Sequence, residues 1–305
     1  MKFLKPAVST SVLLATVLSG SSLFTQTPGA NAQSVSPDTI SERTTPASCQ
    51  YTSYNIPESS YQSVFNNYAK IKDNRPVWVD GFEYKGKTYY NVIFNKCYTK
   101  VNWVARHGLT GSQYQQAFNE YKGKGYRPYQ VESYLRGDTI YYAVIFVKDT
   151  WPTWSAYHGQ TTSQFQSTFN TLTQQGYRLV NVSAVKTKGT VYYTSLYDKK
   201  SVGKWYAKSG LTSSQYQQEF DKYTKQGLKL SYLNAYYDSD AKVAKYSAVW
   251  NSESVGKWYS SHKLTSSQYK SKYQDYTQKG YYLRLVTGYQ DGNSQYFGAL
   301  WTTNK

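Results

Sequence analysis

The sequence has 305 residues and carries 35 lysines and arginines against 18 aspartates and glutamates, a formal net charge of +17. A charge of this size bears on partners and solubility rather than on fold. Beyond the N-terminal segment, no stretch is apolar and long enough to cross a membrane, which excludes a polytopic membrane protein.

The N-terminal segment has the pattern of a secretory signal peptide. Two lysines precede an apolar run over residues 12–18, and Ala30-Asn31-Ala32 forms an A-x-A cleavage site. The apolar run is too short for a membrane anchor, which needs about 20 apolar residues. We therefore predict a signal peptide over residues 1–32 and export to an extracellular or periplasmic compartment. Residues 33–48 are rich in Ser, Thr and Pro, which predicts a disordered linker.

The rest of the chain repeats one unit, seen most clearly from Trp205 to Trp250. A Thr and a Gln three residues later have the spacing of a capping box at a helix start. Aromatic residues follow at i, i+4 and i+7, and a glycine then ends the helix in the αL conformation. Residues 228–236 have strand composition, Asp238-Ser-Asp240 has turn chemistry, and residues 246–250 form a return strand. The unit is therefore a helix followed by a β-hairpin, with a short leading strand before the helix.

Five copies of this unit recur at intervals of 51 to 53 residues. The helix-face residues are Tyr61, Phe65, Tyr68; Tyr114, Phe118, Tyr121; Phe165, Phe169, Leu172; Tyr216, Phe220, Tyr223; and Tyr269, Tyr273, Tyr276. The capping pairs are Thr110/Gln113, Thr161/Gln164, Thr212/Gln215 and Thr265/Gln268. The terminating glycines are Gly125, Gly176, Gly227 and Gly280, and the leading tryptophans are Trp103, Trp154, Trp205 and Trp258. Agreement at so many equivalent positions of the five copies is not expected by chance.

Each unit is too small to bury its own apolar face, so neighbouring units must complete the core. We predict an α+β fold in which five tandem helix-plus-hairpin repeats form a ring, partial barrel or propeller-like array. A single repeat domain fills residues 49–305. The repeats are expected at about 49–100, 101–151, 152–202, 203–255 and 256–305.

The first repeat departs from the pattern. Gln50, Pro57 and Ser60 replace the leading Trp, the capping Thr and the Gln. Terminal repeats are often atypical because they cap a stack, and we interpret repeat 1 in this way. If the array closes, we expect Gln50-Tyr51 to pair with the open end of repeat 5.

The two cysteines, Cys49 and Cys97, are predicted to form a disulfide in an exported chain. The bond would join the start of repeat 1 to the residues just past its return strand. Closing such a loop is worth on the order of 4 kcal/mol in the chain-entropy model. A catalytic cysteine is the alternative, but no Cys/His constellation surrounds either residue.

Charge and tyrosine content indicate the kind of partner. Removal of the signal peptide leaves 33 basic against 18 acidic residues, a net charge of +15. On an exported protein this favours acidic glycans, wall polymers, anionic lipid headgroups or extracellular DNA. Tyr-Tyr pairs in strands place alternate rings on opposite sheet faces, and exposed Tyr can stack on sugars or bases. A solvated basic surface without a dedicated partner is the alternative.

All three histidines occupy one column, four residues after the leading Trp. They are His107, His158 and His262. Three imidazoles on a ring could converge on zinc, but no Cys, Asp or Glu column supplies a fourth ligand. The other interpretation is packing near each helix start. We predict no metal site and no cofactor, and a stand-alone hydrolase that uses this column stays as an alternative function.

No complete catalytic signature is present. Ser201-x-x-Lys204 and Ser254-x-x-Lys257 match the S-x-x-K of penicillin-recognising hydrolases, but they lie between repeats and no K-T-G follows. The nucleophile elbow, the zincin motif, the P-loop and the dinucleotide-binding motif are absent from the sequence. Acidic residues recur in no column that could supply a glycosidase pair. We therefore expect a non-catalytic protein.

Repeat 2 carries a recognisable pattern. It reads Arg106-His-Gly-Leu-Thr-x-x-Gln-Tyr-Gln-x-x-Phe-x-x-Tyr, then Gly125-Tyr-Arg, then Tyr142-Ala-Val-Ile-Phe. This resembles the bacterial tandem repeats in the N-terminal half of secreted polyglycine-hydrolase-like and other β-lactamase-related serine hydrolases. In that family the repeats accompany a separate catalytic domain with the serine nucleophile, whereas the sequence here ends at Lys305 after repeat 5. The resemblance implies the fold and a targeting or substrate-holding role, and no catalytic residue is carried over.

The sequence thus predicts an exported, non-catalytic scaffold that binds an extracellular polymer, peptide or glycan. The candidate binding residues are Trp103, Trp154, Trp205, Trp258, His107, His158, His262 and Arg106. A binder of anionic surfaces or nucleic acid is a further alternative, with affinity that falls steeply as salt rises.

Overall fold

The computed structural model describes residues 49–71, 74–97 and 101–304. The predicted signal peptide and linker, residues 1–48, lie outside the described residues. Within the described ranges, no helix is long and apolar enough to cross a bilayer.

Every repeat contains a leading strand, a helix and a hairpin of two further strands. Repeat 1 has β1 (Gln50–Pro57), α1 (Glu58–Asn66), β2 (Arg75–Tyr84) and β3 (Lys87–Asn95). Repeat 2 has β4 (Asn102–Leu109), α2 (Gly111–Gly123), β5 (Arg127–Arg136) and β6 (Thr139–Lys148). Repeat 3 has β7 (Trp154–Thr161), α3 (Thr162–Gln174), β8 (Arg178–Thr187) and β9 (Thr190–Asp198). Repeat 4 has β10 (Trp205–Leu211), α4 (Ser213–Lys225), β11 (Lys229–Asp238) and β12 (Val243–Asn251). Repeat 5 has β13 (Trp258–Leu264), α5 (Ser266–Gln278), β14 (Tyr282–Asp291) and β15 (Ser294–Thr302).

The helices begin and end where their sequence signals lie. In α4 the Thr212 hydroxyl accepts from the Gln215 backbone N–H, and the Gln215 side chain accepts from the Thr212 N–H over 2.9 Å. The same capping box starts α2, α3 and α5. Gly227 follows α4 with a φ of +80°, where a side chain would be strained. Helix α1 lacks a cap because Pro57 has no side-chain acceptor, and a π-helical turn, Asn67–Ile71, follows it.

Each repeat folds into one antiparallel three-stranded sheet. The return strand lies in the middle, as in the order β1-β3-β2, and all five sheets have this order. The end of the return strand is the best-buried part of the sheet, because the helix of the same repeat covers one face and the preceding repeat in the ring covers the other. Phe94, Trp250 and Trp301 at these ends have no exposed surface.

The strand that follows the helix lies at one edge of each sheet and faces a common axis. The five strands of this kind form a closed ring. We call β2, β5, β8, β11 and β14 the inner strands. Each contacts the next one along the chain, and β14 also contacts β2. The sheets are therefore arranged like the blades of a propeller, one of the arrangements that the sequence predicts.

Side chains, rather than a backbone ladder, join neighbouring inner strands. Gln130 on β5 accepts from the Val79 N–H over 3.2 Å and donates to the Val79 carbonyl over 2.8 Å. At the closing seam, Trp78 donates its indole N–H to the Val286 carbonyl over 2.8 Å. These bonds satisfy inward-facing backbone groups that no strand pairs. One core consequently runs across the seams between repeats.

Two predictions about repeat 1 are wrong because the array closes into a ring. Gln50 and Tyr51 do not pair with repeat 5, because they pair with Asn95 and Phe94 of their own sheet. The Gln50 side chain instead donates to the Leu283 carbonyl over 2.8 Å and accepts from the Leu283 N–H. Repeat 1 is also not the cap of an open stack, since its inner strand has a neighbour on both sides.

The predicted disulfide is present. Cys49 and Cys97 are bonded, with their Cα atoms 5.2 Å apart. The bond lies beside Gln50, the residue that reaches across to repeat 5. It therefore fixes the outer edge of the one repeat whose helix has no capping box.

Candidate functional site

The axis of the ring has a cavity at each end. The upper mouth is the end at which the inner strands begin, and its cavity has a volume of about 250 Å³. The lower mouth lies at the hairpins that follow the inner strands, and its cavity has a volume of about 380 Å³. The upper cavity ends on one buried side chain from each inner strand. These are Trp78, Gln130, Asn181, Tyr232 and Leu285.

Aromatic side chains line the upper mouth. Tyr129, Trp151 and Trp154 are partly exposed there, which leaves ring surface available to a ligand. Tyr129 comes from β5, Trp151 from the link between repeats 2 and 3, and Trp154 from the start of β7. Flat aromatic faces around a concave site suit the stacking of sugar or peptide groups.

Two ion pairs lie behind this aromatic wall. Arg127 forms a two-pronged pair with Asp149, both bonds 2.7 Å long. Arg178 binds Asp198 in the same way, over 2.7 and 3.0 Å. Trp151 links the two pairs, because its indole N–H donates to Asp198 over 3.0 Å and the Arg127 guanidinium lies 4.2 Å from its ring. Both pairs thus help to position the Trp151 ring at the mouth.

The lower mouth is more polar, and two of its charged side chains have internal partners. Lys186 is held by Asp238 and by Asp240, the latter over 2.7 Å. Glu83 accepts from the Gly137 N–H over 2.8 Å. Unlike the upper mouth, the lower one has no tryptophan among the described residues that line it.

Two carboxyl groups are buried near the axis. Burial raises the pKa of Asp80 to about 7, although Gly288 and Asn91 donate hydrogen bonds that partly oppose the rise. Burial, together with the neighbouring Asp80, raises the pKa of Glu132 well above its usual range. Glu132 reaches across the axis and accepts from the Asn234 amide over 2.9 Å. Both side chains are only 1% exposed, so they join the repeats and do not face a substrate.

The histidine column lies in the seams between repeats. His107 packs edge-on against Tyr61 with ring centroids 4.6 Å apart, His158 against Tyr114 at 4.8 Å, and His262 against Tyr216 at 4.7 Å. Each imidazole therefore touches the helix of the preceding repeat and not its own. The three lie in different seams and are not brought together. In residues 49–71, 74–97 and 101–304, no three His, Cys, Asp or Glu side chains are grouped to hold a metal.

The environment of the histidines keeps them neutral. Burial lowers the pKa of His107 and of His158. Burial and the adjacent Lys263 lower the pKa of His262 to about 4. A neutral imidazole against aromatic rings is a packing group in this setting.

The leading tryptophans also belong to the seams. Trp103, Trp154, Trp205 and Trp258 pack edge-on against Phe65, Phe118, Phe169 and Phe220 of the preceding helix, with ring centroids 5.7 to 6.3 Å apart. Of these four, Trp154 also lines the upper mouth. Arg106 is exposed, donates to the Tyr121 hydroxyl over 2.6 Å and lines a seam cavity of about 260 Å³ beside His107.

Sequence reasoning missed most of the upper mouth. Only Trp154 among the predicted binding residues lines it, whereas Arg127, Arg178 and Trp151 were not singled out. A signal was present, because a basic residue follows the terminating glycine by two positions in repeats 2, 3 and 4. The ring is needed to show that this column surrounds one opening.

The repeat pattern also identifies the family. A family model described as polyglycine hydrolase-like, structural repeat, matches residues 50–96, 100–149, 151–200, 202–253 and 255–304. The chain belongs to the polyglycine hydrolase-like structural repeat family. No curated protein shows significant similarity to it. The five matched segments of the polyglycine hydrolase-like repeat each contain one complete sheet with its helix.

Proposed function

We propose that this chain is an exported, non-catalytic scaffold that holds an extracellular polymer, peptide or glycan in its upper mouth. The observation that carries the proposal is the wall of Tyr129, Trp151 and Trp154, partly exposed around a concave cavity on the ring axis. Aromatic faces beside a few fixed polar groups are the usual lining of a binding site.

Export is part of the proposal. It is supported by the signal-peptide pattern of residues 1–32 and by the Cys49–Cys97 disulfide, since such bonds persist in oxidising compartments. The hydrolase alternative needs imidazoles that act together on a substrate. It has no support in the described part of the chain, where the three histidines lie in separate seams.

The experiment is a retention assay on insoluble polysaccharides and peptidoglycan at low salt. We expect the mature protein to be retained and Tyr129→Ala to bind about fivefold more weakly, because one stacked ring contributes roughly 1 kcal/mol. Tyr259→Ala is the matched control, since Tyr259 is 47% exposed and does not line the upper mouth.

Two outcomes count against the proposal. Absence of retention for the mature protein contradicts a polymer-binding role. Equal loss of retention in Tyr129→Ala and Tyr259→Ala contradicts the placement of the ligand in the upper mouth.

A further inference from the structure

The upper mouth is surrounded by basic residues, one from each inner strand. Four inner strands begin with a cation: Arg75, Arg127, Arg178 and Lys229. The fifth begins with Tyr282 and has Arg284 two positions later. The five residues occupy the same end of the ring because all inner strands run in the same direction along the axis.

These cations differ in how far the protein already neutralises them. Arg127 and Arg178 are bound by Asp149 and Asp198. Lys229 donates to the Glu253 backbone carbonyl over 3.4 Å, which carries no formal charge. Arg284 is exposed, lines the cavity, and forms no ion pair within residues 49–71, 74–97 and 101–304. A guanidinium in this position can bind a ligand without first breaking an internal pair.

The mouth as a whole has an excess of positive charge. The cations that line its cavity are Arg127, Arg178 and Arg284. The carboxylates that line it among the described residues are Asp198 and Glu253, which leaves one positive charge. A concave site with low-dielectric walls focuses such a field on the ligand.

The aromatic wall and the cations share the same space. Two guanidinium groups lie near the Tyr129 ring, that of Arg75 at 4.9 Å and that of Arg127 at 5.7 Å from its centroid. A ligand that stacks on Tyr129 is therefore within reach of positive charge. Sugar rings that bear a carboxylate combine both requirements, an apolar face and an anionic substituent.

We propose that the upper mouth selects a carboxylated glycan, with Tyr129 stacking on a uronic-acid ring and Arg284 binding a carboxylate. This inference rests on the polymer-binding role proposed above and names the class of polymer. A nucleic acid fits the site less well. Asp198 and Glu253 interrupt the cations, and the cavity ends blind on buried side chains instead of continuing as a basic stripe.

The test compares hexagalacturonate with its fully methyl-esterified form, which keeps the sugar rings and removes the charges. Titration is followed by calorimetry with the mature protein. We expect the acid to bind at least about tenfold more tightly than the ester, since a hydrogen bond to a charged group contributes this much or more. Arg284→Gln should lose this preference and still bind the ester.

Arg106→Gln provides the matched control, because Arg106 is equally an exposed arginine but lies in a seam between repeats 1 and 2. It should keep the full preference for the acid. If ester and acid bind the mature protein equally, the inference is wrong and the polymer-binding role stands. If neither form binds, the inference is wrong, and the retention assay decides separately whether the polymer-binding role holds.

A third measurement separates a glycan from a nucleic acid. Single-stranded oligothymidylate should bind more weakly than hexagalacturonate at physiological salt. Tighter binding of the oligothymidylate, weakened equally by Arg284→Gln and Arg106→Gln, would assign the charge to diffuse electrostatic attraction and overturn the inference.

Discussion

Trp78 in repeat 1 donates its indole N–H to the backbone carbonyl of Val286 in repeat 5 over 2.8 Å, across 208 positions of sequence. This bond lies in the seam that closes the ring. On the same seam, Asp80 accepts from the Gly288 N–H over 2.9 Å. Together these contacts turn a linear array into a closed body with an axis and two mouths.

Replacement of Trp78 by Phe should weaken this closure. The change leaves the Val286 carbonyl without its indole donor, so we expect a loss of about 1–3 kcal/mol in the free energy of unfolding beyond the effect of lost volume. Trp250→Phe is the control, because the Trp250 indole is also buried but has no hydrogen-bond partner in the described part of the chain. Urea denaturation of both variants measures the difference, and equal losses would show that the bond contributes nothing.

The two ion pairs behind the upper mouth should contribute unequally to the free energy of unfolding. Asp198→Ala leaves Arg178 buried without a counter-charge, which should cost about 3–5 kcal/mol of stability. Asp149→Ala should cost less, because the Asp149 side chain is 22% exposed against 4% for Asp198, and water can reach Arg127 after the change. Thermal denaturation of the two variants tests this order, and the reverse order would contradict it.

The seam histidines should make stability depend on pH. The pKa of His262 falls from 6.5 to about 4 on folding, so the unfolded chain takes up the proton first as pH decreases. The stability that neutral His262 contributes is therefore complete above pH 6.5 and is lost between about pH 6.5 and 4. In His262→Gln this part of the loss should disappear. The free energy of unfolding of both proteins at pH 7, 5.5 and 4.5 measures it, and parallel pH profiles would refute the assignment.

Asp80 should make the protein less stable as pH rises, the opposite of the effect of His262. Its pKa rises from 3.8 to about 7 on folding, so the folded chain holds the proton over a range where the unfolded chain has lost it. This contribution is present below about pH 4 and is lost as pH rises towards 7. The stability of Asp80→Asn relative to the unmodified protein should therefore increase with pH over this window. Chemical denaturation across the window checks it, and a relative stability that falls with pH would contradict the buried, protonated state.

Local features of the fold were predictable because their causes lie within a few residues. The Thr and Gln of each capping box are three positions apart, and a glycine with positive φ follows the end of α2, α3, α4 and α5. The aromatic columns followed from helical spacing alone. The disulfide followed from the export signal and the presence of only two cysteines.

Contacts that exist only because the ring of repeats closes could not be predicted from the sequence. The partner of Gln50 lies 233 positions away, and nothing near Gln50 in the sequence indicates Leu283. The histidine column was assigned to packing at helix starts, but its contacts are with the preceding repeat. Arg284 departs by two positions from the column of cations that it completes, so its place at the mouth appears only when the five inner strands surround an axis.

A circular permutant tests the closed ring most directly. The chain would begin at Ser201, run to Asn304, pass through a short Gly-Ser linker to Cys49 and end at Lys200. In a closed ring the linker replaces a connection between adjacent sheets and the new ends lie in an exposed link between repeats 3 and 4. We predict one cooperative thermal transition within a few degrees of the unpermuted chain. Loss of that cooperative transition, or separate unfolding of the two transposed parts, would show that repeats 5 and 1 are not neighbours and would contradict the account.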